Sequence, residues 1–100
     1  MTKSRRETVL ALVSAREGDL SDHARQEAVR LDLGWADVVS VVGTAIRHHA
    51  ERDEKKQARW KDSFVGRDTR GRRLYLAGKE LLDEGERIWF VISVHEADPE

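Results

Sequence analysis

Basic, tyrosine and histidine side chains occupy alternate positions in the apolar stretches of the second half of the chain. Successive side chains of a β-strand point to opposite faces, so alternate residues share one face. In RIWFVISVHEA, residues 87–97, His95 is therefore expected opposite the apolar set that contacts the core. That core set is Ile88, Phe90, Ile92 and Val94, and the opposite set is Trp89, Val91, Ser93 and His95.

The same alternation assigns two faces to the preceding strands, WKDSFV (60–65) and RLYLAG (73–78). Their apolar residues are core candidates, namely Trp60, Phe64, Leu74 and Leu76. Asp62 is the exception on that face, so we expect it to cap a helix or to pair with a buried arginine. The opposite face of the three strands is predicted to combine Lys61, Ser63, Arg73, Tyr75, Ser93 and His95, with Trp89 at its edge.

These residue types fit the cleavage of RNA without a metal ion. Lysine and arginine bind phosphate, histidine transfers protons near neutral pH, and tyrosine stacks on a base or donates a hydrogen bond. The solvent face of an antiparallel sheet is polar in any case, so each residue alone is equally well an ordinary surface residue. The combination on one face favours the catalytic interpretation.

Charge is distributed unevenly along the chain, although its formal net charge is only −1. Residues 47–79 contain 11 basic and 5 acidic residues, whereas residues 80–100 contain 1 basic and 7 acidic residues. The middle third therefore carries a cationic field, which is typical of a phosphate-binding surface or of a plain solvated face.

The length of 100 residues predicts a single domain spanning residues 1–100. The chain has no cysteine, and no apolar run approaches the ~20 residues of a membrane span. Its start, MTKSRRETVL, lacks the pattern of a signal peptide. We therefore expect a cytoplasmic protein with no membrane partner and no cofactor.

Helix-capping residues, turn residues and the spacing of apolar residues predict an α+β fold, with N-terminal helices packed on one face of a small antiparallel sheet. Ser4 and Glu7 form a capping box for a first helix that ends near Gly18. A second helix is predicted over residues 22–32, and a third over residues 35–52, with the His48-His49 pair at its C-terminal end. Residues 51–59 are predicted to form a polar loop or a solvated helix end. At least three strands follow, with turns at the DTRG segment and at Glu84-Gly85.

The layout resembles the RelE-like toxin fold, and within it the motility quorum-sensing regulator toxins, which are mRNA interferases of toxin–antitoxin pairs. The similarity runs from about Val9 to Ala97. The segment SDHARQEAVR also resembles the opening of a wider group of small bacterial domains that start with a His-Ala pair. The stretches that carry the toxin resemblance are LDLGWADVVSVVG (31–43), WKDSFV (60–65), RLYLAG (73–78) and FVISVHEA (90–97).

This resemblance implies a type II toxin that cuts single-stranded mRNA, free or on the ribosome, by attack of the 2′-hydroxyl. Its partners would be the mRNA and a cognate antitoxin that covers the active face or binds beside it. The implied roles are His95 as general acid or base, Lys61 and Arg73 as phosphate ligands, and Tyr75 as the residue that positions a base or the phosphate. Lys61 stands where glutamine is expected, and His95 where lysine is usual. The residues implied to add affinity for the RNA backbone are Arg67, Arg70, Arg72 and one of His49, Arg52 or Lys55.

Two other interpretations compete with the enzyme. A non-catalytic RNA-binding or regulatory module, or an inactive toxin relative, would use the same basic face. A metal site built on His23, His48 and His49 is disfavoured, because adjacent helical residues point about 100° apart and no common zinc spacing is present. On the predicted third helix, the two adjacent histidines would instead lie at the C-terminal end, where positive charge is favoured.

Overall fold

A computed structural model of the chain describes residues 4–52 and 60–97. The predicted α+β fold is confirmed, because three helices pack on one face of a four-stranded antiparallel sheet with the strand order β1-β2-β3-β4. No helix in the described part of the chain is long and apolar enough to cross a membrane. The elements are α1 Arg5–Ala15, α2 Asp22–Leu31, α3 Trp35–Gly43, β1 Arg47–Arg52, β2 Trp60–Arg67, β3 Arg73–Asp83 and β4 Glu86–Glu96.

The helices begin where the sequence predicts. The Ser4 hydroxyl accepts a hydrogen bond from the Glu7 amide, and the Ser21 hydroxyl accepts one from the Ala24 amide. These caps satisfy amides that a helix start leaves without a partner. The predicted turns are also present, with φ of 84° at Gly71, and of 50° and 83° at Glu84 and Gly85.

The third helix is much shorter than predicted, and residues 47–52 form strand β1 instead. The Ile46 amide donates to the Val65 carbonyl at 2.8 Å, and β1 then pairs with β2 from Arg47–Val65 to Arg52–Trp60. This distant backbone pairing outweighs the local helical pattern. The prediction that His48 and His49 lie at a helix end is therefore wrong. Of the predicted loop, Glu51 and Arg52 belong to β1, and residues 53–59 lie outside the described residues.

Strand β4 does not follow the alternation that the sequence predicts. Ala77 pairs with Ser93 but the next residue, Gly78, pairs with Val91, so Ile92 is an extra residue that forms a β-bulge. The bulge reverses the faces of the residues before it. Trp89 therefore lies in the core at 1% exposure and not at the edge of the solvent face. Val94 joins the core cluster as predicted, and Ile88 is buried at 5% exposure. Contrary to the prediction, Trp89 and Val91 join the core cluster, whereas Phe90 and Ile92 do not.

One hydrophobic core fills the space between the helices and the sheet. It contains Val9 and Val13 of α1 and Val41 and Val42 of α3, which pack with Phe64, Leu74 and Leu76 of the sheet. The indole of Trp89 crosses over Gly78, where an added Cβ would lie 2.6 Å from the indole Cζ2 atom. Glycine at this position is therefore required for the tryptophan to pack flat against the sheet.

A cluster of buried charges joins α1 to the sheet. Asp62 and Glu80 are 1% and 3% exposed, and Arg5 bridges them at 2.7 and 3.0 Å. His48 Nε2 lies 3.1 Å from the Asp62 carboxylate, and Arg87 lies 2.8 Å from that of Glu80. The predicted pairing of Asp62 with an arginine is thus confirmed, although the arginine side chain retains 18% exposure.

Removing Arg5 should cost more stability than removing a surface arginine. Arg5→Met leaves two buried carboxylates without their shared partner, so we expect the free energy of unfolding to fall by about 3 kcal/mol. Arg16→Met is the matched control, because Arg16 pairs with the exposed carboxylates of Asp83 and Glu86 and should cost less than about 1 kcal/mol. Urea unfolding followed by tryptophan fluorescence measures both. Equal losses in the two variants would contradict the assigned role of Arg5.

Candidate nucleic-acid interface

The sheet face that lies opposite the helices carries most of the predicted site residues. We call it the open face. Strand pairing arranges its side chains in rows that cross the sheet. From one end to the other, the rows are Arg67–Arg73, then Arg47–Val65–Tyr75–His95, then His49–Ser63–Ala77–Ser93, then Glu51–Lys61–Lys79–Phe90.

Tyr75 and His95 form a stacked pair on the open face. They are direct cross-strand partners, and their ring centroids lie 4.6 Å apart with the planes inclined by 17°. His95 Nδ1 lies 3.0 Å from the Glu96 carbonyl oxygen, which can only accept a hydrogen bond. The neutral ring therefore carries its proton on Nδ1, and Nε2 is the nitrogen that can take up a proton.

Arg67 and Arg73 lie directly opposite each other in the neighbouring row. Two like charges in this arrangement destabilise a sheet. The Arg67 side chain donates a hydrogen bond to the Gly71 carbonyl at 2.9 Å, and within residues 4–52 and 60–97 neither arginine pairs with a carboxylate. An anion between the two guanidinium groups would remove the repulsion.

The turn between β2 and β3 holds these two arginines in place. The buried Asp68 carboxylate accepts hydrogen bonds from the Arg70 and Arg72 amides and from Arg72 Nε. Asp37 of α3 accepts from the amide and the hydroxyl of Thr69. Burial alone would raise the pKa of the Asp68 carboxyl, but the bonds from Arg72 and Arg70 hold it below its ordinary value. The turn is therefore a rigid connection that fixes the strand ends.

Two arginines predicted to bind RNA contribute to this framework instead of to the open face. Arg72 donates to Asp68 at 2.7 Å and to the Leu31 carbonyl at 2.8 Å. Arg70 donates to Asp32 at 2.8 Å, just after α2. Their charges already have carboxylate partners, so the structure does not bring them to the Tyr75–His95 pair.

The remaining predicted residues lie at different distances from that pair. Lys61 is on the open face, where its cross-strand partner is Lys79. Lys79 follows Tyr75 by four residues on β3, so at the ordinary rise of a strand Lys61 lies about 13 Å from Tyr75 along the strand direction. His49 is on the open face one row away from Tyr75, on the edge strand. Arg52 is on the helix-packed face, over the ring of Trp60. Lys55 lies outside the described residues.

A shallow groove of about 670 Å³ extends from Tyr75 over Val65 to Arg47 and His49. Ile46, which is 64% exposed, lies at its rim. Arg47 was not among the predicted site residues, because strand β1, which brings it into the row of Val65 and Tyr75, was not predicted. From the Arg67–Arg73 pair to the Lys61–Lys79 pair, the described open face carries one carboxylate, Glu51, among five Lys or Arg residues and two histidines.

No family model, curated protein or solved structure matches the chain. Within residues 4–52 and 60–97, no group of three or more histidine, aspartate or glutamate side chains is arranged to hold a metal ion. The resemblance to the RelE-like toxins therefore gains no support from these comparisons, and the chemistry of the open face follows from its own geometry alone.

Acid should weaken the turn that holds Arg67 and Arg73. The folded-state pKa of Asp68 is below its ordinary value of 3.8, so its stabilising contribution is present above that pH and is lost as pH falls through the folded-state value. Asp68→Asn should therefore lower the melting temperature at pH 7 and reduce the further loss between pH 4 and pH 2. Thermal unfolding across this range tests the expectation, with Asp83→Asn, a change at an exposed carboxylate, as control. An unchanged acid response in Asp68→Asn would contradict it.

Proposed function

We propose that the open face binds and cleaves single-stranded RNA. The observation that carries the proposal is the stacked Tyr75–His95 pair beside the directly opposed Arg67 and Arg73. This arrangement combines an aromatic surface for a base, a proton-transfer group and two cations that lack a carboxylate partner in the described chain. The excess of cations along the open face supports a polyanionic substrate.

The reaction that fits these groups is internal transesterification. A base removes the proton of the 2′-hydroxyl, and the 2′-oxygen forms a bond to the adjacent phosphorus. The bond from phosphorus to the 5′-oxygen breaks, and an acid donates a proton to that oxygen. The products are a 2′,3′-cyclic phosphate and a 5′-hydroxyl. His95 performs one of the two proton transfers, while Arg67 and Arg73 stabilise the added negative charge on the phosphorane.

The biological setting that fits this activity is a toxin of a type II toxin–antitoxin pair acting on mRNA in the cytoplasm. The resemblance of four sequence stretches to mRNA interferases supports it. A cognate antitoxin would inhibit the toxin by covering the open face, since a protein bound over Tyr75 and His95 excludes RNA from both.

His95→Ala should abolish cleavage and leave binding nearly intact. Loss of a proton-transfer group typically costs 10²–10⁴-fold in rate, so we expect at least about a hundredfold decrease with RNA affinity within about threefold of the native protein. The measurement is mapping of new ends on a long mixed-sequence RNA in EDTA, with and without translating ribosomes, beside a binding titration. Equal cleavage by both proteins would rule out a catalytic role for His95.

The stacked geometry also favours a second candidate, a binding module that does not cleave RNA. Two parallel rings on a cationic sheet are a platform for base stacking, which is worth about 1–3 kcal/mol per base. In that case the native protein would bind RNA without producing cyclic-phosphate ends, on or off the ribosome, and replacement of His95 would reduce affinity.

The Arg73→Gln variant tests whether Arg73 contributes to RNA binding or to the stability of the fold. Because the substitution removes like-charge repulsion with Arg67, we expect unfolding stability to stay constant or to rise by up to about 1 kcal/mol. RNA binding should weaken, and the slope of log affinity against log salt should fall by about 0.7 for one lost phosphate contact. Salt titrations and urea unfolding measure the two effects. The control is Arg25→Gln, which lies in a cleft on the helix side and should alter neither.

A further inference from the structure

The open face carries a second pair of directly opposed cations at its other end. Lys61 and Lys79 are cross-strand partners, as Arg67 and Arg73 are in the row beside the turn between β2 and β3. Like charges placed directly opposite each other do not favour the pairing of strands. The same arrangement therefore occurs twice on one face of the sheet, and the proposed cleavage uses only one of the two pairs.

An aromatic ring stands beside each pair of cations. Tyr75 follows Arg73 on the same face of β3, and Phe90 is the direct cross-strand partner of Lys79. Phe90 is half-buried and does not belong to the core cluster. Its ring is thus placed on the open face, where a base of any type can stack on it.

Small side chains lie between the two ends of the open face. The row between those of Tyr75 and Lys79 contains Ser63 and Ala77 on the described strands β2 and β3, and Ser93 on β4. Hydroxyl and methyl groups extend only a short way above a sheet. An extended polymer can therefore follow β3 from one ring to the other.

The separation of the two cation pairs fits a short piece of single-stranded RNA. Lys79 follows Arg73 by six residues on β3, which corresponds to about 20 Å at the ordinary rise of a strand. This length is too great for two adjacent phosphates of one strand, but about three extended nucleotides span it. His49 lies in the intervening row on β1, so the path between the two pairs is not acidic.

One carboxylate lies beside the second pair. Glu51 is the cross-strand partner of Lys61, and its carboxylate lies 3.7 Å from His49 Nε2. A single carboxylate reduces the positive potential of two lysines without cancelling it. We therefore expect this end of the open face to hold a phosphate less tightly than the Arg67–Arg73 pair does.

We propose that Lys61, Lys79 and Phe90 form a second RNA subsite, which holds a phosphate and a base about three nucleotides away from the cleaved bond. The proposal rests on the proposed function and defines its substrate as a single strand of about four nucleotides or more. The two lysines bind the phosphate, and the ring of Phe90 stacks on the base. The subsite contributes to binding and takes no part in proton transfer.

The first experiment compares two substrate pools in EDTA, one of mixed-sequence dinucleotides and one of mixed-sequence octanucleotides. Only the octanucleotides reach from the Arg67–Arg73 pair to the Lys61–Lys79 pair. For the native full chain, kcat/KM should be at least about tenfold higher for the octanucleotides, chiefly through a lower KM.

The second experiment repeats the comparison with variants of the subsite. Lys61→Gln should raise KM for the octanucleotides about fivefold at unchanged kcat, and it should lower the salt slope of their binding by about 0.7. Phe90→Leu keeps an apolar side chain without the ring and should raise the same KM about fivefold. Both effects should be absent with dinucleotides, which do not reach the subsite.

Three further variants serve as controls. Lys61→Arg keeps the charge and should retain the native KM. Glu51→Gln removes the neighbouring carboxylate and should lower KM for the octanucleotides. Arg25→Gln removes one positive charge in the cleft on the helix side and should alter neither substrate. Lys61 is exposed, so its variants should keep the native melting temperature.

The outcomes separate the subsite from the proposed function. If the native chain cleaves RNA but Lys61→Gln and Phe90→Leu change KM for the two pools by the same factor, or not at all, the subsite is overturned while the proposed function stands. If the native chain cleaves neither pool, dissociation constants for the octanucleotides replace KM. Native affinity in both variants would then overturn the subsite as well.

Discussion

The extra residue at Ile92 is the local constraint on which both the core and the candidate site depend. It lets Trp89 and Val91 point towards the helices while Ser93 and His95 point away from them. Without the bulge, unbroken alternation would place His95 on the same face as Trp89. His95 would then point towards the core, away from the face that carries Tyr75. At the bulge, the Ile92 carbonyl accepts a hydrogen bond from the Ser21 hydroxyl, which attaches the start of α2 to the same point. One backbone irregularity therefore determines the position of His95 and of the helix beside it.

The buried carboxylates of the sheet are kept apart from its cationic open face. On the helix-packed face, Asp62 pairs with Arg5 and contacts His48, and Glu80 pairs with Arg5 and Arg87. The described open face carries five Lys or Arg residues beside one carboxylate, Glu51, between its Arg67–Arg73 and Lys61–Lys79 pairs. Because the buried carboxylates already have partners from α1 and β4, they are not available to pair with Arg67 or Arg73. The segregation preserves a positive surface on a chain whose net charge is −1.

The sequence predicts which side chains of the regular strands share a face. It does not predict features that depend on contacts between distant segments, namely the β4 bulge and strand β1. Alternation correctly placed Lys61, Tyr75 and Arg73 on the open face, because β2 and β3 are regular where these residues lie. It failed in β4, since a bulge is determined by the partner strand and by α2. Strand β1 was missed because its pairing with β2 competes with a helical pattern that is local. Charge counting could not show that Arg70 and Arg72 are bonded to Asp32 and Asp68.

The opposed Arg67 and Arg73 are the feature that structural stability explains least. A sheet gains nothing from two guanidinium groups side by side on a solvated face, and a neutral or acidic residue at either position would be more favourable. The protein nevertheless fixes both strand ends with a turn that is held by two buried carboxylates, Asp37 and Asp68. Together they accept six hydrogen bonds, one of them from the Gly34 amide. The turn therefore keeps the backbones of Arg67 and Arg73 paired across the sheet. In the proposed function, a phosphate bound beside Arg67 and Arg73 offsets this repulsion, because its oxygens accept hydrogen bonds from both guanidinium groups.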